Sequence, residues 1–496
     1  MLELSLDALA LLCTVKGLTF LTAGTLVGLL FGAIPGLGGA TALALLIPLT
    51  FGMEPRSAMF LIGGVLGSVA FGGSITAILL NTPGMAPNAA TVFDGYPMAQ
   101  QGRAGAAIGA AATASSLGGL LGVVILVAIM PVAEAIVLAF GPPEFFVLAL
   151  LGLCAIAVST MGHTLRGLVV AGVGLLLSYV GVDAVSGLPR YTLDYEYLRD
   201  GIPVIPALIG LFAISEMIHL SVKGGTVAAD REMVRITRIR DGIFAVFKQY
   251  PTLLRGSAIG AFIGAVPGLG GTVASFLAYS ATVSMSRDKQ SFGKGNIQGV
   301  IAPESANNAK DGGALIPTLA FGIPGSAEMG VFMGVLIMHG MDPGPMLLID
   351  SKEVIVALIL ALSVACVLAS VIGLACARWL ALITLVDVRI LVPIVVATAM
   401  VGAYALHSSV EDVVVALIFG VLGYLMTRLE YPKLPMVIAL ILGETAERNL
   451  AQALAISDGR WSIFIERPVS LTLIVLTLAF LAFPVVVSTL DRRRSR

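Results

Sequence analysis

The chain has 496 residues, 57% of them hydrophobic and only 12% charged, with a formal net charge of -1 and a mean hydropathy of +0.99. An average soluble domain carries about 25% charged residues, so this composition describes a polytopic membrane protein and leaves no room for a large soluble domain. Neither a basic stripe nor a recognition motif is present, which excludes nucleic acid as a partner.

Taken in order, the chain begins with Glu3 and Asp7 ahead of an apolar run. It lacks a basic n-region and a small-residue cleavage site, so this run is expected to be retained as the first membrane segment. Apolar runs recur along the whole length, and at roughly 20 residues per span they predict an all-α protein with on the order of 12 transmembrane segments in the lipid bilayer. The run that ends at Ile34 is interrupted by Pro35-Gly36-Leu37-Gly38-Gly39. Proline removes an amide donor and clashes with the preceding turn, while glycine gives up backbone order, so the helix must break there. A second run ends at Phe51, and the stretch from Ser57 to Leu80 leads into a second break, Asn81-Thr82-Pro83-Gly84. About four spans follow from Ala104 to Leu220, with turn signals at Gly141-Pro142-Pro143, Met161-Gly162-His163 and Gly187-Leu188-Pro189-Arg190.

The segment from Lys223 to Arg255 holds Arg231, Arg235, Arg238, Arg240 and Lys248, and the chain ends in Arg492-Arg493-Arg494-Ser495-Arg496. Both are expected on the cytoplasmic side by the positive-inside rule, which places Arg190 to Asp200 outside. Then the opening pattern returns: Gly264 to Gly271 repeats Gly32 to Gly39 at 232 residues' distance, and Gly322-Ile323-Pro324-Gly325 answers the second break at 241. The nine extra residues are assigned to Arg287–Lys294. The organisation read from this is a first membrane half (1–222), a basic loop (223–255), a second membrane half (256–490) and a short tail (491–496). Arg255 precedes the third break and Arg287, Lys289 and Lys294 follow it, which favours a re-entrant hairpin with residues 267–271 at its tip. Whether the halves are inverted or parallel stays open at this level.

Paired breaks in corresponding places of two halves are the best sequence pointer to the substrate site of a secondary transporter. A break frees the N–H groups of the following helix, whose positive dipole end suits an anion. The candidate substrate-binding residues are therefore Pro35, Gly36, Gly38, Gly39, Ser74, Asn81, Thr82, Pro83 and Gly84 in the first half, and Pro267, Gly268, Gly270, Gly271, Pro324, Gly325 and Ser326 in the second. Glu304, Asn307, Asn308 and Asp311 recur at helical spacing and share one face, whereas their first-half counterparts Gly63, Leu66, Gly67 and Ala70 are apolar or lack a side chain. Oxygen-bearing side chains at this spacing suit coordination of Na⁺ or relay of a proton, so these four are the candidate ion-coupling residues. The four cysteines and four histidines show no metal-ligand or catalytic spacing, so neither catalysis, a resident cofactor nor a disulfide is expected. Glycine pairs such as Gly63-Gly64 and Gly118-Gly119 read as ordinary transmembrane packing.

Over nearly its whole length the chain resembles the large transmembrane subunit of the tripartite tricarboxylate transporters, the TctA type. The resemblance rests on the duplicated Pro-Gly-Leu-Gly-Gly, Gly72-Gly73-Ser74, Asn81-Thr82-Pro83-Gly84, Asp94-Gly95-Tyr96-Pro97-Met98, Gly102-Arg103-Ala104-Gly105 and Gly141-Pro142 with Glu144. Further along it rests on Ile209-Gly210-Leu211-Phe212-Ala213 with Ser215-Glu216, Pro303-Glu304 with Asn307-Asn308-Ala309, Gly322 to Ser326, and Leu442-Gly443 ahead of Glu447. It implies carboxylate uptake across a bacterial inner membrane, driven by an ion gradient, with a small transmembrane subunit and a periplasmic solute-binding protein as partners. Met85, where the family usually has an acid, and Lys310-Asp311, where it has small residues, depart from the pattern. The other readings are a membrane scaffold or sensor that has lost transport, against which survival of both pairs of breaks favours transport, and a channel, which is separable because a carrier saturates and counterflows.

Overall fold

Pro35 and Pro267 decide the architecture, because each ends a helix that its apolar neighbours would otherwise continue. The computed structural model describes residues 2–137, 139–159, 164–183, 186–223, 236–383 and 388–494. The expected turn at Met161-Gly162-His163 and the basic residues Arg231 and Arg235 lie outside the described residues. The first half runs α1 (Leu2–Leu12), α2 (Val15–Ala33), α3 (Gly38–Leu46), α4 (Pro55–Leu80), α5 (Ala89–Met98), α6 (Ala104–Val137), α7 (Pro142–Ser159) and α8 (Thr164–Ser178). A two-stranded antiparallel ribbon, Gly181–Val182 against Pro189–Arg190, follows. Then α9 (Val204–Leu208) passes through a π-helical stretch, Ile209–Ile214, into α10 (Ser215–Lys223).

The second half comprises α11 (Ile239–Lys248), α12 (Tyr250–Ala265), α13 (Gly270–Met285), α14 (Gln298–Phe321), α15 (Ala327–Met338), α16 (Pro345–Asp350) and α17 (Lys352–Ile383). It closes with α18 (Val388–His407), α19 (Val410–Arg428), α20 (Leu434–Ile456), α21 (Ile463–Glu466) and α22 (Pro468–Arg494). The protein is all-α and polytopic. Among the described residues seven helices are long and apolar enough to cross a membrane, and shorter apolar helices such as Ala327–Met338 accompany them. The segment 223–255, expected as a loop, instead contains α11 and the start of α12. The segment Arg287–Lys294 lies in the loop between α13 and α14, but α13 has 16 residues against 9 in α3, so much of the extra length is helix.

The hairpin expected around Pro267 is present. Arg255, in the first arm, donates from Nη1 to Met285 Sδ at the end of the second arm (3.0 Å), so α12 and α13 run back alongside each other and both ends finish together.

The two repeats share one packing plan. Nearly all of α4 and α14 is buried, and each is clasped by the arm before its break. Gly24, Gly28 and Gly32 of α2 press against Leu61, Val65 and Val69, while Gly256, Gly260 and Gly264 of α12 press against Ala302, Ala306 and Lys310. Every pair maps onto its counterpart by the offsets 232 and 241. Without hydrophobic drive between helices in lipid, close backbone approach over small residues is what holds such a pair.

Asp94, of the Asp-Gly-Tyr-Pro motif, ties the halves together. Its Oδ1 accepts the N–H groups of Gly295 (2.9 Å) and Asn296 (2.8 Å), and its Oδ2 accepts the Tyr279 hydroxyl (2.9 Å). Replacing Asp94 by Ala strands these donors, of which the Gly295 N–H is buried and the other two half-buried; at about 1–3 kcal/mol per unsatisfied buried group a thermal-melting assay on the purified subunit is expected to show a loss of that order. An unchanged melting profile would show that the loop between α13 and α14 is held by other contacts.

Candidate functional site

The four breaks come together because each repeat joins its own two. At the first tip Ile34 is extended and Gly36 and Gly38 take φ of +91° and +59°; at the third, Val266 is extended and Gly268 and Gly270 take +82° and +65°. These left-handed values favour glycine at both places. Gly36 N–H donates to Gly84 O (3.4 Å), and Gly268 N–H donates to Gly325 O (3.3 Å). The other breaks close with left-handed caps, Asn81 at φ +55° and Gly322 at φ +67°.

The repeats then meet reciprocally. Pro87 of the first lies against Gly271 of the second, and Glu328, the counterpart of Pro87, lies against Gly39, the counterpart of Gly271. Residue i touching j while j's equivalent touches i's is the mark of a two-fold relation.

Between the tips opens a cavity of about 540 Å³, within the roughly 300–1,000 Å³ typical of small-molecule sites. Of the expected residues, Gly36, Gly38, Gly39, Pro83, Gly84, Gly268, Gly270, Gly271 and Ser326 line it. The N-termini of α3 and α13 begin at its wall, with Thr272 beside the latter.

Several expected residues have other work. Asn81 is an exposed helix cap, and Thr82 donates to Leu80 O (3.2 Å). Pro35, Pro267, Pro324 and Gly325 shape the tips from behind without lining the cavity. Ser326 both caps α15 and donates to Glu328 Oε2 (2.8 Å). Ser74 does not line the cavity: its hydroxyl donates to Glu304 Oε2 (2.6 Å).

Residues not singled out from the sequence bring the charge. The Glu216 carboxylate lies 3.0 Å from where a Cβ on Gly36 would stand, and Glu328 reaches Gly39 at the start of α3. Lys433 lines the same cavity and donates to Ser215 Oγ (2.7 Å). Behind the wall Lys310 Nζ is held by Asp311 Oδ1 (2.6 Å) and Glu328 Oε2 (3.4 Å), so the two residues that depart from the family pattern neutralise each other. Phe212 and Met85 supply apolar lining. An acid inside an apolar segment is a functional candidate by default, and that signal was available for Glu328 and for Glu216.

The candidate ion-coupling stripe divides among several neighbours. Glu304, fully buried, accepts hydroxyl hydrogen bonds from Ser74 (2.6 Å), Ser115 (2.9 Å) and Thr91. Asn307 turns to the second hairpin, its Oδ1 2.9 Å from the Cβ position of Gly271, and Asn308 packs beside Gly119 next to Cys366. Asp311 is taken by Lys310. The expected single face is thus split, because α14 is buried all round and adjacent side chains reach different helices. Both polar atoms of Asn307 and the Oδ1 of Asn308 are buried without a hydrogen-bond partner.

A profile of the tripartite tricarboxylate transporter TctA family matches residues 18–438, a span that includes all four breaks, the cavity and the Glu304 cage. The chain belongs to this family. A protein of Agrobacterium vitis described as an uncharacterized 52.8 kDa protein in the TAR-I ttuC' 3' region is 33% identical over 474 residues, 95% of this chain and 93% of that protein. A second from the same organism, described as an uncharacterized protein in the TAR-II ttuC' 3' region, is 31% identical over 235 residues, 47% of this chain and 97% of its own length. No solved structure matches. As a TctA-family subunit the chain is a multi-pass membrane transporter component, and the family name itself implies partner subunits.

Proposed function

We propose that this TctA-family chain is the translocating subunit of an ion-gradient-driven symporter for tricarboxylates or related carboxylates, fed by a periplasmic solute-binding protein and accompanied by a small transmembrane subunit in the bacterial inner membrane. The C-terminus lies on the cytoplasmic side in this reading. The observation that carries it is the convergence of both repeats on one cavity where α3 and α13 begin: three of the helix breaks line it, and the fourth borders it through Ser326. Free backbone N–H groups and positive dipole ends there hold carboxylate oxygens as they would phosphate.

The charges around the cavity favour coupling to a cation. Glu216, Glu328 and Asp311 stand against Lys433 and Lys310, three carboxylates against two ammonium groups, so an entering carboxylate adds negative charge to a site that already has an excess. In a medium of low dielectric that addition is unfavourable unless a cation enters with it. Na⁺ and H⁺ are the candidate coupling ions. Glu304, Asn307, Asn308 and Asp311 are their proposed contacts, since the unpartnered carboxamide atoms of Asn307 and Asn308 need a partner at buried positions.

Proteoliposomes holding this chain and its small membrane partner, supplied with the periplasmic protein and labelled citrate, test the reading. Saturable uptake that follows an imposed Na⁺ or proton gradient and shows counterflow is the expected result. Non-saturating flux would point to a channel, and no flux with any carboxylate under either gradient would leave the scaffold reading.

A further inference from the structure

We infer that the first repeat holds a Na⁺ site behind its tip, formed by Asn88 Oδ1 and the Gly32 carbonyl oxygen and separate from the α14 stripe. The inference deepens the ion-coupled reading by giving the cation a place. It starts from an orphaned atom: Asn88 is fully buried, and its Oδ1 has no hydrogen-bond partner. The orientation of that carboxamide is set by its other end. Asn88 Nδ2 faces Ala70 O (3.0 Å) and Ser74 Oγ (2.9 Å). A backbone carbonyl only accepts, and the Ser74 hydroxyl already donates to Glu304, so the amide nitrogen must be the group on that side. Oδ1 therefore points the other way.

What it meets there is another acceptor. The position a Cβ on Gly73 would take is bordered by Asn88 Oδ1 and, at 3.1 Å, by Gly32 O. Gly32 is in the last turn of α2. The residue three further on is Pro35, which has no N–H, and Gly36, four further on, gives its N–H to Gly84 O. Neither amide that would normally satisfy Gly32 O is available to it. Two neutral acceptors, neither with a donor, meet beside Gly73 at the negative end of a broken helix; such a pair calls for a cation, and carbonyls of a half-helix C-terminus are known to serve Na⁺ in this way. Neutral ligands suit a monovalent ion, and the Glu304 carboxylate stands two hydrogen bonds away through Ser74 to supply charge.

The second repeat provides an internal control. Gly264 O is freed in the same manner, with Pro267 three residues on and Gly268 bonded to Gly325. There, however, the counterpart of Gly73 is Ala314, whose methyl lies 2.8 Å from the Cβ position of Gly325, and the counterpart of Asn88 is Met329. A methyl and a thioether chain stand where the first repeat has a bare glycine and a carboxamide. The shared packing plan therefore does not require this pair; Asn88 Nδ2 serves Ala70 O and Ser74, and a cation gives its Oδ1 a partner. Bound there, Na⁺ would order Gly36 and Gly84, which line the cavity, before the carboxylate arrives.

The test is binding of radioactive Na⁺ to the full chain in lipid nanodiscs at constant ionic strength, with no carboxylate present, so its outcome is independent of whether the chain carries one. Gly73→Ala, which copies the second repeat, is expected to weaken Na⁺ at least 10-fold, and Ala314→Gly to leave it unchanged. A folded Gly73→Ala protein with undiminished affinity would overturn the site. If that variant fails to fold, hydrogen exchange on the unaltered chain decides: Na⁺ in place of choline should slow exchange at least 10-fold in residues 36–38 and 84–91 but not in 268–270 and 325–332. Equal protection of both repeats, or of neither, would overturn it as well.

Discussion

Glu304→Gln is expected to abolish gradient-driven uptake, by 100-fold or more, while leaving a subunit that still inserts. The carboxylate is fully buried and accepts three hydroxyl hydrogen bonds, from Ser74, Thr91 and Ser115. A carboxamide keeps the volume, but it removes the charge, and its NH₂ turns a donor toward hydroxyls that need an acceptor. One hydroxyl can swing back to its own helix, as Ser74 already approaches Ala70 O (3.1 Å), so the folding penalty stays near the lower end of the about 1–3 kcal/mol for an unsatisfied buried group. Glu304→Leu orphans all three hydroxyls at once and should cost about 3 kcal/mol or more by the same reasoning. Melting temperature and uptake measured on both variants separate the roles. A Gln variant that transports with wild-type cation dependence would make Glu304 a purely structural anchor.

The second large effect concerns a residue with no side chain. Gly84→Ala would drive its methyl into Gly32 O and to 2.6 Å from Gly73 Cα. Both are backbone atoms, so neither can rotate away. Overpacking ordinarily costs about 1–3 kcal/mol, and a clash between main chains at a tip belongs at or above the top of that range. Because Gly84 O is also the acceptor for Gly36 N–H, the distortion reaches the cavity directly, and uptake should fall at least 100-fold. Gly325→Ala meets Gly264 O at 2.6 Å and the Ala314 methyl at 2.8 Å, a milder contact, and should lose less. Gly172, which has open space around it, is the control: Gly172→Ala should leave both melting and uptake within error. A Gly84→Ala protein as stable and active as the Gly172 variant would show that the tips are not packed as described.

How much of this was legible differs element by element. The breaks at Pro35 and Pro267 and their glycines were legible because the reason is local: a proline has no N–H, and the residues after it need positive φ whatever surrounds them. The repeat followed from the same residues, and the hairpin around Pro267 from charges at its two ends. Nine of the expected residues, seven glycines with Pro83 and Ser326, line the cavity, but Ser74, Asn81 and Thr82 were grouped with them only by nearness in the chain. Ser74 in fact faces α14, and Asn81 caps a helix end.

Composition, apolar run length and the duplicated Pro-Gly-Leu-Gly-Gly were enough by themselves to determine a helical membrane protein of two repeats with broken helices, because each depends on interactions within one turn or between a segment and lipid. Which charges stand in the cavity was decided only by tertiary structure. Glu216, Glu328 and Lys433 come from three different helices or their ends, each more than 100 residues from the next, and meet the tips through contacts that helical spacing cannot encode. The stripe on α14 makes the same point from the other side. Spacing correctly put Glu304, Asn307, Asn308 and Asp311 near one another on a helix, yet with every side of α14 covered it was the neighbouring helices that decided their fates: three hydroxyls for Glu304, a hairpin tip for Asn307, Gly119 for Asn308 and Lys310 for Asp311.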